Sequence, residues 1–109
     1  MELKENILGQ LHIYYESVSS DCKPMAFFPI QERYVEEIKN YVFSRKLNIH
    51  IEPLSDGWFT IYIYKYDYLI HIIENLPQKP QTPYDHWVIG KACGYSDSAI
   101  GEFIKSKFK

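Results

Sequence analysis

The chain has 109 residues, of which 46% are hydrophobic and 24% charged, as expected for one globular domain over residues 1–109. Because 14 acidic residues nearly balance 12 basic ones, the chain lacks a general attraction to phosphate, and its composition disfavours a nucleic-acid partner. Two cysteines are too few for a disulfide framework, and no apolar run reaches the ~18 residues that span a bilayer, so we expect a cytoplasmic protein without a membrane partner.

The first part of the chain predicts two helices separated by a loop. Apolar residues at steps of three and four over residues 2–18 favour an amphipathic helix, although the alternation around Ile13 leaves a strand open. Residues 19–30 contain two prolines and several small polar residues, which indicates a loop. Residues 31–46 have the clearest helical pattern, with acidic residues early and a basic pair at the end, as the helix dipole favours.

The centre of the chain predicts an antiparallel β-hairpin. Aliphatic residues alternate with polar residues or tyrosines over about 47–52 and 58–66, on either side of a turn that contains glycine. Pairing Ile51 with Phe59 places every aliphatic side chain of the hairpin on one face. The other face then carries Asn48, His50, Thr60, Tyr62 and Tyr64. Helices or a further strand must cover the aliphatic face, because two strands alone are marginally stable in water.

The last third of the chain predicts a short helix over about 67–76 and then an αα-hairpin of helices at about 83–93 and 97–107. Capping residues mark both starts of the hairpin: Thr82 with Asp85, and Ser96 or Asp97. Gly94 is placed to end the first of the two helices in the left-handed conformation. Two further glycines leave room for close helix packing: Gly90 and Gly101. The fold class is therefore α+β, with a central hairpin packed by helices.

No motif in the sequence points to catalysis. The chain has no glycine-rich phosphate loop and no nucleophile motif, and its four histidines form no known metal pattern. We therefore expect a protein that is not an enzyme and has no cofactor, no catalytic residue and no metal site. Convergence of three histidines with Cys93 in the folded chain stays open at this point.

Ten tyrosines in 109 residues are the unusual feature of the composition. Tyrosine is large, stiff and amphipathic, and it is enriched where surface becomes buried on contact with a partner. The predicted partner-binding set is Tyr62, Tyr64, Tyr66, His50 and Trp58. Three alternatives remain: a structural face partly covered by a helix, self-association into a homodimer through the same tyrosines, and a stacking platform for single-stranded nucleic acid. Such platforms are normally flanked by Arg and Lys, which the tyrosine face lacks.

The C-terminal αα-hairpin also resembles a helix-turn-helix in its short turn with glycine. Its second helix, however, begins with acidic residues such as Asp97 and Glu102, and its lysines lie at the far end. Base and phosphate contacts are normally made near the start of that helix. A nucleic-acid-binding accessory or regulatory protein is therefore the alternative function, and a hairpin that packs on the core is favoured.

The tail has the pattern W-x-x-G-x-x-x-G-Y-S-x-x-x-I-x-x-F-I over residues 87–104. This pattern resembles the ending of many small proteins of bacteriophages and prophages whose roles are mostly unassigned. The resemblance implies a phage protein, and with the tyrosine face it suggests an inhibitor of the anti-CRISPR or another anti-defence type. Such an inhibitor would dock on a host or defence protein and block it by steric occupancy. The resemblance carries no catalytic residue and no ligand.

Overall fold

A three-stranded antiparallel sheet lies between two groups of helices in the computed structural model, which describes residues 4–108. The strands are β1 (Met25–Gln31), β2 (Asn48–Ser55) and β3 (Trp58–Tyr64), in the spatial order β1-β3-β2. The helices are α1 (Glu5–Ser19), α2 (Val35–Ser44), α3 (Ile70–Glu74), α4 (Pro83–Ala92) and α5 (Asp97–Lys107), with 3-10 turns at Glu32–Tyr34 and Asp67–Leu69. The α+β class predicted from the sequence is confirmed. Over residues 4–108, no helix has the length and apolar character needed to cross a bilayer.

Helices α1 and α2 cover one face of the sheet, which we call the inner face. Because successive side chains on a strand point to opposite faces, the aliphatic residues of β3 share this face with alternate residues of both neighbouring strands. The buried members of this core are Leu11, Val18, Ala26, Phe28, Ile30, Tyr34, Ile38, Val42, Leu47, Ile61 and Ile63. This cluster is nearly all hydrocarbon, and burial of its apolar surface drives folding of the N-terminal half.

Strand β1 corrects the second half of the predicted loop over residues 19–30, whereas residues 20–24 lie outside helices and strands as predicted. Met25–Gln31 pairs along its whole length with β3, from Met25 opposite Tyr64 to Gln31 opposite Trp58. Pro24 precedes the strand, and Pro29 is compatible with it because β1 lies at the edge of the sheet, where a missing backbone donor is tolerated. The predicted first helix is observed as α1, while positions 2 and 3 of that prediction lie outside the described residues.

The register of the β2–β3 hairpin differs by two residues from the predicted one. Ile51 lies opposite Ile61 rather than Phe59, and an irregularity between Pro53 and Ser55 accommodates an extra residue beside the turn. Gly57 occupies the left-handed region in this turn, with a φ of 75°. A shift of two residues leaves every side chain on its predicted face, because the period of a strand is two.

The C-terminal αα-hairpin is built as its capping residues indicate. The side chain of Thr82 accepts a hydrogen bond from the backbone N–H of Asp85, whose carboxylate accepts one from Thr82 in return. The hydroxyl of Ser96 accepts from the backbone of α5, and Gly94 has a φ of 83°. The prediction that Gly101 permits close packing is wrong, since the space around it is open.

The short helix predicted over 67–76 is observed as the second 3-10 turn followed by α3. The Asp67 carboxylate caps neither of them; it accepts a hydrogen bond from the Asn48 side chain at 2.9 Å instead. This contact joins β2 to the turn that follows β3. The turn reverses the chain, so that α3 and α4 return over the second face of the sheet, which we call the outer face.

Candidate functional site

Tyr62 and Tyr64, the centre of the predicted partner-binding set, are buried beneath α3 and α4. Their side chains are only 8% and 7% exposed. They form a second core with buried Met25, Leu69, Ile73 and Leu76 and with partly buried Ile70, Val88, Ile89 and Ala92. The expectation that these two phenols face solvent is therefore wrong. A tyrosine ring can be buried in this way because only its hydroxyl needs a polar partner.

The cover over the outer face ends halfway along the sheet. Level with Tyr62 and beyond it, towards the β2–β3 turn, the outward side chains of the three strands other than Tyr62 itself are exposed or half-buried. We call this uncovered part the open sheet face; it consists of Phe27, Pro29, His50, Glu52, Trp58 and Thr60. Trp58 and Phe27 are its large apolar members, with 39% and 36% of their surface exposed. The two lie four residues apart in register, or about 13 Å along the strands.

A hydrogen-bonded group of polar side chains lies in the open sheet face beside Phe27. The Nε2 atom of His50 lies 3.0 Å from one carboxylate oxygen of Glu52, and the Tyr62 hydroxyl donates to the other at 3.4 Å. The rings of Phe27 and His50 lie on either side of Tyr62, at centroid distances of 5.3 and 5.8 Å. The polar group is therefore held in place by packing as well as by hydrogen bonds.

The Tyr62 phenol is kept neutral in this setting. Burial raises its pKa to about 12, and the negative charge of Glu52 adds to the effect because it opposes a phenolate. A neutral hydroxyl remains a hydrogen-bond donor to Glu52 throughout the physiological range. The group thus positions a carboxylate and an imidazole at the surface, and it presents no thiol or serine hydroxyl as a nucleophile.

The other predicted site residues lie in different places. His50 and Trp58 belong to the open sheet face, but Tyr66 lies beyond the opposite end of β3, stacked on Tyr68 with a centroid distance of 5.7 Å. Its hydroxyl donates to the Asp21 carboxylate at 2.8 Å, and this bond and the neighbouring Lys65 lower the pKa of that carboxyl. The five residues therefore do not form one surface.

Phe27, Pro29 and Glu52 complete the open sheet face, and sequence reasoning missed them. Phe27 and Pro29 were missed because their segment was interpreted as a loop. The alternation of Met25 to Ile30, in which large apolar residues occur on both faces, was the available signal.

No metal site forms in the described part of the chain. Residues 4–108 bring together no group of three or more His, Cys, Asp or Glu side chains that could hold an ion, so the open possibility of histidines meeting Cys93 is not realised there. Burial raises the pKa of the Cys93 thiol to about 11. At the hairpin junction, Lys91 of α4 forms an ion pair with Asp97 at the start of α5, at 2.6 Å.

Comparison with known proteins adds no assignment. Neither a protein-family model nor a curated protein sequence matches this chain. The resemblance of residues 87–104 to phage proteins stays a prediction.

Proposed function

We propose that this chain is a non-enzymatic protein-binding module that docks through the open sheet face. The observation that carries the proposal is the half-covered outer face, which leaves Trp58 and Phe27 exposed around the hydrogen-bonded pair of His50 and Glu52. Tryptophan is enriched among residues that dominate binding energy, and a polar surround that excludes water is typical of such centres. Both features are held on strands, so little conformational freedom is lost when a partner binds.

Docking on the face is favoured over pairing with a strand edge. Both edge strands contain a proline, Pro29 in β1 and Pro53 in β2, and β2 also has an irregularity beside its turn. Such features interrupt the row of backbone groups that an added strand would use. The partner therefore contacts side chains of the open sheet face, with Trp58 and Phe27 entering apolar pockets of its surface.

The partner class we propose is a host or defence protein, and the mode of action is inhibition by steric occupancy. This part of the proposal rests on the resemblance of residues 87–104 to the tails of phage proteins. Residues 4–108 also contain no group of His, Cys, Asp or Glu side chains that could hold a metal ion. It includes inhibitors of the anti-CRISPR type and other anti-defence proteins. The module binds by surface complementarity, and no chemical step is required of it.

Affinity capture from bacterial lysate, followed by titration of the captured protein, tests the proposed surface. Trp58→Ala should weaken the complex by about 2 kcal/mol or more, as expected for a tryptophan that enters a pocket of the partner. The matched control is Tyr84→Ala, which removes an aromatic ring that is even more exposed but lies on α4. Equal binding by Trp58→Ala and the parent protein would contradict the assignment of the surface.

Two further measurements separate the alternatives. Binding through aromatic contacts should change little between low and moderate salt, whereas phosphate binding would weaken steeply as salt rises. Gel filtration at two protein concentrations detects a homodimer. A steep salt dependence would favour the nucleic-acid alternative, and a dimer that Trp58→Ala dissociates would make a second copy the partner.

A further inference from the structure

Glu52 is the one acidic side chain of the open sheet face, and the face contains no lysine or arginine. It lies in the same row of the sheet as Pro29 and Thr60, between the row that holds Phe27 and the position of Trp58. Its side chain is 21% exposed, so water still reaches the carboxylate. A partner that covers the two large apolar side chains of the face therefore covers this carboxylate as well.

The Glu52 carboxylate is held in one orientation and still has room for a cation. Nε2 of His50 contacts one of its oxygens, and the Tyr62 hydroxyl donates to the other. An ionised carboxylate has about four acceptor positions, so about two of them remain open. Since a neutral imidazole can donate through Nε2, the contact with His50 leaves the negative charge of Glu52 in place.

Acidic residues outnumber basic ones at the turn end of the open sheet face. Glu32 and Arg33 lie together beside Trp58, where their charges offset each other. The Arg33 guanidinium also lies over the Tyr34 ring, at 4.8 Å from its centroid. Asp56 in the β2–β3 turn adds a further negative charge to that of the carboxylate on the face. A basic group on a partner therefore complements the charge of this region.

Covering Glu52 without supplying a cation would be unfavourable. A carboxylate that is removed from water loses its hydration, and only an ion pair with good hydrogen bonds offsets that loss. Arginine suits the position better than lysine, because its planar guanidinium can form two hydrogen bonds to a carboxylate and can stack on an aromatic ring. Trp58 lies diagonal to Glu52 on the neighbouring strand. Cα atoms in such positions are about 7–8 Å apart, within reach of one long side chain that contacts both.

We propose that the protein docked on the open sheet face presents an arginine, whose guanidinium binds the Glu52 carboxylate and lies against the ring of Trp58. This inference rests on the docking surface proposed above and adds the chemistry of the partner, namely an arginine beside the apolar pocket that takes Trp58. A phosphate backbone offers no such cation, and the carboxylate repels it.

The test selects binders from a displayed library of random short peptides, with the full chain as the target. Counter-selection on Trp58→Ala identifies the peptides that bind the open sheet face. We expect these peptides to be enriched in arginine over the library. The enrichment should disappear with Glu52→Gln as the target, a variant that keeps an acceptor oxygen for the Tyr62 hydroxyl. It should persist with Glu102→Gln, the matched control, which removes the same charge from an exposed position on α5.

A selected peptide is then synthesised with citrulline in place of arginine, which keeps the shape of the side chain and removes its charge. The citrulline peptide should bind the parent protein about tenfold more weakly, the effect of a hydrogen bond between charged groups, and the two peptides should bind Glu52→Gln almost equally well. Calorimetric titration measures all four affinities. Should Glu52→Gln fail to fold, the comparison of the two peptides on the parent protein decides alone.

The outcomes separate this inference from the docking surface on which it rests. Peptides that depend on Trp58 but show no excess of arginine would overturn the inference and leave the surface in place. So would equal binding of the two peptides by the parent protein, or the same tenfold loss in Glu52→Gln. A library that yields no peptide dependent on Trp58 would overturn the docking surface and this inference with it.

Discussion

The inner and outer faces of the sheet use the same alternation of residues but differ in how they are covered. The inner face is an aliphatic core that lies under α1 and α2. On the outer face, α3 and α4 bury the ring of Tyr64 at one end, while Trp58 at the other end of the same strand remains exposed. Alternation along a strand therefore determines which side chains share a face. Whether that face is buried depends on helices that follow later in the chain.

The largest expected effect separates the two halves of the outer face. Tyr64→Ala removes a buried ring from the second core and should lower the free energy of unfolding by about 3–5 kcal/mol. Trp58→Ala, six residues earlier on the same strand and face, should cost about 1 kcal/mol or less because its ring is partly in water already. Urea denaturation measures both values. Similar losses for the two variants would mean that the outer face is not divided into a covered and an open half.

Short-range features of the fold were predictable, because the residues that decide them are near neighbours in sequence. Thr82 and Asp85 form their capping pair three positions apart, and the N–H of left-handed Gly94 donates to the carbonyl of Lys91, three positions earlier. The register of the hairpin was missed by two residues, since the irregularity beside Pro53 has no clear sequence signal. These local effects account for most of the agreement on the fold.

The candidate site was less predictable because it depends on contacts between distant segments. Burial of Tyr62 requires α3 and α4, which approach β3 only after the chain reverses at the second 3-10 turn. Phe27 belongs to the site only because β1 pairs with β3, more than thirty residues later in the sequence. The alternation of tyrosines along β3 does not show which half of the outer face is covered by helices, since both halves have the same alternation.

Alkaline pH should destabilise the covered half of the outer face. The pKa of Tyr62 is raised from 10 to about 12 and that of Cys93 from 9 to about 11, mainly by burial. Each group therefore binds its proton more tightly in the folded chain than in the unfolded chain. Its stabilising contribution is complete below the unfolded pKa and is lost as pH rises through the folded pKa. Stability should begin to fall at about pH 9 and continue to fall towards pH 12.

Each group should contribute about 2–3 kcal/mol to this loss, since one pKa unit corresponds to 1.36 kcal/mol. Urea midpoints measured from pH 8 to 11.5 in the parent protein, Tyr62→Phe and Cys93→Ala resolve the two contributions. Cys93→Ala should remove the earlier part of the loss and Tyr62→Phe the later part. The controls are Cys22→Ala and Tyr84→Phe, which alter an exposed thiol and an exposed phenol. A parent protein whose stability stays constant to pH 11 would contradict burial of these groups.

The smallest expected effect concerns the packing of α5 on α4. Helix α4 supplies part of the cover over the outer face. Gly90→Ala places a methyl group against Ile100 and should cost about 1–3 kcal/mol, because one of the two side chains must move. Gly101→Ala is the matched control in α5, where nothing lies within 4 Å of the added atom, and it should stabilise the helix by about 1 kcal/mol. Thermal unfolding should therefore shift in opposite directions for two identical substitutions. A stabilising effect of Gly90→Ala would contradict the close approach of α4 and α5 at this position.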